Sequence, residues 1–377
     1  MSLRRIVFWI HLPVGIVTAL VVLMMSVTGV ILTYEMQINR WALRGYRAEP
    51  AASGAALLSV DTLLHRVAAA VPEATLASIV LRADPLEPAA VRVGGGLSLF
   101  VDRYTGQVVG DSDVPMRRAL RQVMYWHRWF ALEDDSRAIG RAVTGAANLG
   151  FLFLVVSGLY LWWPRAWTRA VLRNVAWFRS GLGGKARDFN WHNVIGVWVA
   201  VPLVIIVFSG ATISYRWVGN LVYTTFGELP PGSTSASPAG AAGEEDAKVI
   251  PPPVRTLDYA ALVDRAAAET SGWQIITLRL PDSDHAPVNI SVDRGTGRQP
   301  SKRVDLTLDR ATGKILERGG YGTFTRALKV RRWLRFAHTG EVYGFVGQTV
   351  AGVATIGACV LVWTGLSLSW RRFFGQG

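Results

Sequence analysis

Apolar and polar positions divide this chain into alternating stretches of two kinds. Uncharged apolar runs occupy Leu12 to Tyr34, Ala142 to Pro164, Val194 to Tyr215 and Val342 to Trp370. Each is at least as long as the ~20 residues that a spanning helix needs, so the pattern predicts four transmembrane helices. The first run follows Arg4 and Arg5 as a secretory h-region would. It is too long for one and no A-x-A-like site closes it, so it is read as a retained helix.

Between the runs the periodicity changes. The segments "FVDRYTGQVVG" from Phe100 and "LTLDRATGKILE" from Leu306, with a weaker "SVDRGTGRQ" from Ser291, read as strand, tight turn, strand, the glycine supplying positive φ. Helical patterns precede them. "DTLLHRVAAAV" and "DYAALVDRAAAE" place apolar residues at i, i+3, i+4 behind an aspartate that can cap. Each outer segment is thus a small α+β module, one helix on an antiparallel sheet. The stretch "GELPPGSTSASPAGAAGEEDAKVIPPP" is a low-complexity linker.

The fold class that results is an integral membrane α-helical bundle with a two-fold internal repeat and two α+β modules. In order, the chain is read as follows: N-terminus and helix start 1–11, span 12–34, first module 35–115, interfacial helix 116–131, span 140–164 and basic loop 165–191. The second half continues with span 192–216, linker 217–253, second module 254–322, interfacial helix 323–338, span 342–370 and tail 371–377.

The net charge of +13 could point to nucleic acid, but in a membrane protein positive charge is first a topology signal. Arg4 and Arg5, then Arg165, Arg169, Arg173, Arg179, Lys185 and Arg187, and finally Arg371 and Arg372 mark three segments on one side. Both termini are therefore placed in the cytoplasm and the modules outside, which is the periplasm if the membrane is a bacterial inner one. The partners are the lipid bilayer and no nucleic acid. Cys359 stands alone inside an apolar run and is read as packing.

The helices repeat too. His11, Gly15 and Gly29 recur as His192, Gly196 and Gly210, the spacing H-x3-G-x13-G, while Gly140 and Gly158 recur as Gly347 and Gly365. Of the six histidines, His11, His127, His192 and His338 each fall at or just before the start of a span. Alternating helix direction sorts them into a cytoplasmic pair, His11 with His192, and a periplasmic pair, His127 with His338.

Paired imidazoles on facing helices could hold zinc, copper or haem iron. Zinc asks for three or four protein ligands, and only Asp188 lies near the first pair in sequence. Haem needs two axial ligands, so two haems are expected. Gly15 and Gly196, one turn beyond their histidines, would let a flat macrocycle approach the backbone. Eighteen residues is about five turns and ~27 Å, which aims Gly29 and Gly210 at the periplasmic pair and Gly158 and Gly365 at the cytoplasmic one. These glycines could instead only tighten helix crossings.

The interfacial segments "RRALRQVMYWHRWF" and "TRALKVRRWLRFAH" are basic and aromatic. Arg128, Arg331 and Arg335 could pair with haem propionates or with lipid phosphates. Tyr125, Trp129, Tyr321 and Arg335 could line an acceptor cavity. His65 fits the helix pattern of the first module, and Asp282, Asp284 and His285 form a turn-like "PDSDH" read as a solvated loop rather than a surface metal site.

The paired "DRxTG" modules, the "WIH…G" and "WHNVIG" helix starts and the "FAHTGEVYG" segment before the last span resemble PepSY-associated transmembrane proteins. Within that family the chain looks most like bacterial inner-membrane siderophore-iron reductases of the ferrioxamine type. The resemblance implies four spans, two periplasmic PepSY-like modules, two b-type haems ligated by His11, His192, His127 and His338, and reduction of a periplasmic ferric siderophore, with hydroxamates as the expected class. No dinucleotide fingerprint is present, so electrons are expected from a quinol or a separate reductase. Two further readings stand beside it: a di-haem cytochrome subunit serving a protein partner, and a non-redox membrane-anchored binding module.

Overall fold

A computed structural model describes residues 1–48, 55–232, 256–283 and 286–375. From the N-terminus, α1 (Leu3–Thr33) and the short α2 (Glu35–Ala42) lead to α3 (Val60–Ala70) and strands β1 (Leu76–Arg82), β2 (Ala89–Val93), β3 (Ser98–Val101) and β4 (Val108–Asp111). Helices α4 (Pro115–Trp129), α5 (Arg137–Trp162), α6 (Arg169–Ala176), α7 (Gly184–Ser214) and α8 (Arg216–Thr225) follow. Then come α9 (Tyr259–Ala268), β5 (Ile275–Arg279), β6 (Val288–Asp293), β7 (Arg303–Leu308), β8 (Ile315–Gly320), α10 (Arg326–Ala337) and α11 (Gly344–Phe373). The chain forms two compact units, a helical one and a sheet one.

In the helical unit, α1, α5, α7 and α11 are long and apolar enough to cross a membrane. Each packs on two of the others, α1 and α7 both against α5 and α11, which closes a four-helix ring. Neighbours are antiparallel, since His11 near the start of α1 meets Ser157 near the end of α5, and Tyr34 beyond α1 meets Gly352 early in α11. We call the end with the starts of α1 and α7 the near end and the other the far end. The polarity is inverted relative to a water-soluble bundle. Val17 is 79% exposed and Val201 69%, whereas Asn148, Ser157, Ser209, Gln348 and Thr364 are buried, as expected where the outer solvent is hydrocarbon.

All four long helices start before the apolar runs or extend past them. Helix α7 begins at Gly184, within the stretch read as the basic loop, and α1 begins at Leu3. The reason is that Lys185, Arg187 and Arg4 can sit in the first turns of a helix while their heads reach the interface. Small residues bring the helices close: a Cβ on Gly145 would meet the Tyr215 hydroxyl, and one on Gly352 the Tyr34 hydroxyl.

In the sheet unit the two outer segments do not keep separate sheets. One antiparallel sheet of eight strands runs β4-β3-β2-β1-β5-β6-β7-β8. The join is β1 with β5, Ser78 opposite Arg279 and Val80 opposite Thr277. Left apart, each half would expose an unpaired edge; together they share a core of Leu63, Val67, Ile79 and Val91 with Leu262, Ile276, Ile290 and Leu306. Each such side chain contributes roughly 1.5–3 kcal/mol on burial.

The D-R-x-T-G turns follow from side-chain chemistry. The Asp102 carboxylate accepts from the amides of Tyr104 and Thr105, and Asp309 from those of Ala311 and Thr312. Gly106 and Gly313 then take φ of +69° and +66°. The Thr312 hydroxyl, followed by its amide, holds the Asp309 carboxyl below the ordinary aspartate range. The arginines turn inward, Arg103 donating to the Arg82 carbonyl and Arg310 lying 3.8 Å over the Tyr259 ring. The weaker third copy likewise turns at Asp293, which accepts from Gly295.

Helix capping departs from the sequence expectation. Ser59, not Asp61, caps α3, accepting from the Thr62 amide. Asp61 instead accepts from the Tyr259 and Ala260 amides at the start of α9, at 2.9 Å each, where a carboxylate also complements the helix dipole. Asp258 makes no side-chain cap bond. Asp61→Ala is therefore expected to destabilise the junction of the two half-sheets by about 1–2 kcal/mol, read as faster hydrogen exchange at Tyr259 and Ala260. An unchanged exchange rate there would show that the cap carries no weight.

Candidate functional site

The helical unit holds four half-buried histidines. His11 lies in α1 and His192 in α7, both within the long helices rather than at their starts. His127 lies near the end of α4 and His338 directly after α10. These segments feed α5 and α11, so each pair comes from opposite sides of the ring.

At the far end the His127 and His338 ring centroids stand 6.2 Å apart, with the planes at 65°. Two imidazoles on opposite sides of one metal, each at the usual N–metal bond of about 2.0 Å, would put their centroids roughly 6.3 Å apart. Burial, and next the His338 imidazole, push His127 down to about 4, and burial also lowers His338. Both rings are thus neutral near pH 7, the form in which imidazole ligates a metal. At the near end His11 and His192 are close enough for a charge on one to act on the other.

Each histidine is gripped by a hydroxyl. Nδ1 of His11 lies 2.8 Å from Ser157 Oγ, that of His192 2.9 Å from Thr364 Oγ1, that of His127 3.0 Å from Thr28 Oγ1, and that of His338 3.2 Å from Ser209 Oγ. The next residue is always glycine. A Cβ on Gly158 would stand 3.6 Å from His11 Cε1, one on Gly365 3.5 Å from His192, one on Gly29 3.4 Å from His127 and one on Gly210 3.2 Å from His338. The glycines thus seat the imidazoles themselves. At Gly15 and Gly196 an added Cβ would meet only Leu154 at 3.8 Å and Leu361 at 3.7 Å, in ordinary van der Waals contact and not against an imidazole.

The far pair sits under cationic groups. Arg335 acts on His338, and Arg128 acts on His127 and lies within electrostatic reach of Arg335, Arg141 and Arg137. Arg128 and Arg137 lie 4.8 Å and 4.6 Å from the centre of the Trp129 ring, which is 5.2 Å from that of Tyr125. Nε of Arg137 is buried without a hydrogen-bond partner. Such a set favours an anionic group. Arg331 is engaged elsewhere, donating to the Thr212 carbonyl.

Other sequence candidates do not join these pairs. Tyr321 belongs to the sheet unit, beside Phe324. His65 is an exposed residue of α3. Asp282 is in a bend, and Asp284 and His285 lie outside the described residues. Asp188, one turn before His192, is buried in an ion pair with Arg187 and accepts from Ser367. Among the described residues no group of three or more His, Cys, Asp or Glu side chains comes together.

A ring of spanning helices interrupted by an antiparallel-sheet domain defines a multi-pass membrane protein with a PepSY-like module. The chain belongs to the family described as the PepSY-associated TM region, which matches residues 8–372. Comparison with curated proteins gives no match.

Proposed function

We propose that this protein is a di-haem transmembrane reductase that passes electrons from the cytoplasmic side, from a quinol or a separate reductase, to a ferric siderophore in the periplasm. The carrying observation is the His127–His338 pair, 6.2 Å between centroids and with no third protein ligand beside it among the described residues. Two neutral imidazoles fit haem, whose porphyrin supplies the other four donors, and leave zinc under-coordinated.

In this reading His11 and His192 hold one b-type haem and His127 and His338 the other, with Gly15 and Gly196 leaving room for the near macrocycle. Bound there, the haems would supply one-electron transfer between the two membrane faces. The helices fix their separation, since His192 and Gly210 lie on one helix face ~27 Å apart. Arg128 and Arg335 would hold the far propionates, and Arg137 adds a further donor. In this reading the basic near end faces the cytoplasm of a bacterial inner membrane, as the positive-inside rule favours, with both termini there and the sheet domain in the periplasm. Contacts that recur between the two halves, Tyr34 on Gly352 and Tyr215 on Gly145, support an internal two-fold repeat in which each half contributes one PepSY-like module. A ferric hydroxamate is the acceptor class that the ferrioxamine-type resemblance favours; one electron converts its Fe(III) to Fe(II), a poorer match to hard oxygen ligands.

The test is optical. Protein purified in mild detergent is expected to show two six-coordinate b haems, and the reduced form to be reoxidised by ferric hydroxamate with Fe(II) appearing in a ferrous chelator. A well-folded preparation without haem would sink the reading. Haem that ferric hydroxamate leaves reduced would keep the cofactors and remove the siderophore.

A further inference from the structure

The hydroxyls that grip the histidines have no proton left to give them. Ser157 Oγ donates to the Phe153 carbonyl at 2.6 Å, Thr364 Oγ1 to Val360 at 2.8 Å, Thr28 Oγ1 to Met24 at 2.7 Å and Ser209 Oγ to Ile206 at 2.8 Å. A hydroxyl carries one hydrogen. With that hydrogen given to its own helix, each oxygen can only accept, so the imidazole nitrogen facing it must carry the proton. His338 gives independent evidence, because its Nδ1 also lies 2.8 Å from the Ile206 carbonyl, a group that only accepts. All four rings are therefore Nδ1–H tautomers, with the lone pair on Nε2.

We propose that Thr28, Ser157, Ser209 and Thr364 are positioning residues that set the reduction potentials of the two haems. The proposal rests on the di-haem reading. An acceptor on Nδ1–H draws the proton outward and raises the basicity of Nε2. A more basic axial ligand stabilises the ferric state and lowers the potential. The same bond fixes the ring about its Cβ–Cγ axis, while the following glycine gives it a flat backbone to lie against. The arrangement occurs at every histidine of the site, whereas His65, the other described histidine, is an exposed sheet-unit residue.

Thr364→Val and Thr28→Val delete the acceptor and keep the side-chain shape; Thr364→Ser and Thr28→Ser restore it. Redox titration followed optically, with low-temperature EPR of the ferric protein, is expected to show each valine variant raising one of the two midpoint potentials and shifting the matching low-spin signal. The other haem stays put, and the serine variants return to the parent values. Valine variants with parent potentials and parent EPR signals would overturn the proposal. So would serine variants that shift as far as the valine ones, which would mark a packing effect. A parent protein without a haem spectrum would overturn the di-haem reading itself, before any variant is compared.

Discussion

His338→Ala is expected to lose one of two haems and keep the other, and His11→Ala to lose the complementary one. The two sites share no side chain: Ser157, Gly158, Thr364 and Gly365 serve the near pair, and Thr28, Gly29, Ser209 and Gly210 the far pair. A deletion at one end therefore leaves the other end's ligands and hydroxyls in place. The fold should survive, because the lost imidazole gives up a hydrogen bond worth about 1 kcal/mol at a half-buried position. The measurement is haem per protein, which should halve in each single variant and reach zero in the double variant. Single variants with the parent's full haem content would place the ligands elsewhere.

Gly140→Ala is expected to cost far more stability than any nearby substitution that faces lipid. A Cβ at Gly140 falls on the Trp129 carbonyl, backbone that cannot rotate away. The turn there is already constrained. Phe130 and Ala131 hold φ of +55° and +56°, and Thr144 Oγ1 donates to the Arg128 carbonyl at 2.8 Å. Positive φ at such residues costs on the order of 1 kcal/mol or more each, so the turn has little left to give. Overpacking against side chains costs about 1–3 kcal/mol; against backbone the upper end or beyond is expected. Since this turn carries His127 into place, far-end haem should fall together with the melting temperature in detergent. Ile139→Ala, at a position 62% exposed, is the control and should melt with the parent. Equal melting of Gly140→Ala and parent would mean that the α4–α5 turn is more pliable than its hydrogen bonds imply.

Much of the architecture is legible in local patterns. Four apolar runs carry the spans because a length of ~20 uncharged residues has few other uses, and the D-R-x-T-G stretches carry their turns because Asp102, Thr105 and Gly106 each satisfy a separate demand of the backbone. What local patterns do not carry is partnership across long separations. The β1–β5 pairing joins residues some 200 positions apart in strands whose alternation only says that one face is buried. Asp61 looks like a cap for its own helix and serves another, since nothing in "DTLLHRV" names the distant α9 amides. At the candidate site the histidines and glycines are visible as a repeated spacing. The hydroxyls were equally visible, as "TG" at Thr28 and Thr364 and "SG" at Ser157 and Ser209. Serine and threonine are common at helix contacts in membranes, so nothing local sets these four apart until the fold brings them to the rings.

The bonds that hold each imidazole and the bonds that would join the imidazoles run in different directions along the sequence. His11 and His127 are gripped by Ser157 and Thr28, all in the first half; His192 and His338 by Thr364 and Ser209, all in the second. Each facing pair, by contrast, takes one ring from each half. As the chain is synthesised, the first helical hairpin can therefore orient its two histidines before the second exists, but can complete neither pair. The same seam divides the sheet, where β1 waits with an open edge until β5 arrives. Two polypeptides split between α5 and α7 would each carry preformed half-sites, and cofactor uptake would report the moment at which they meet.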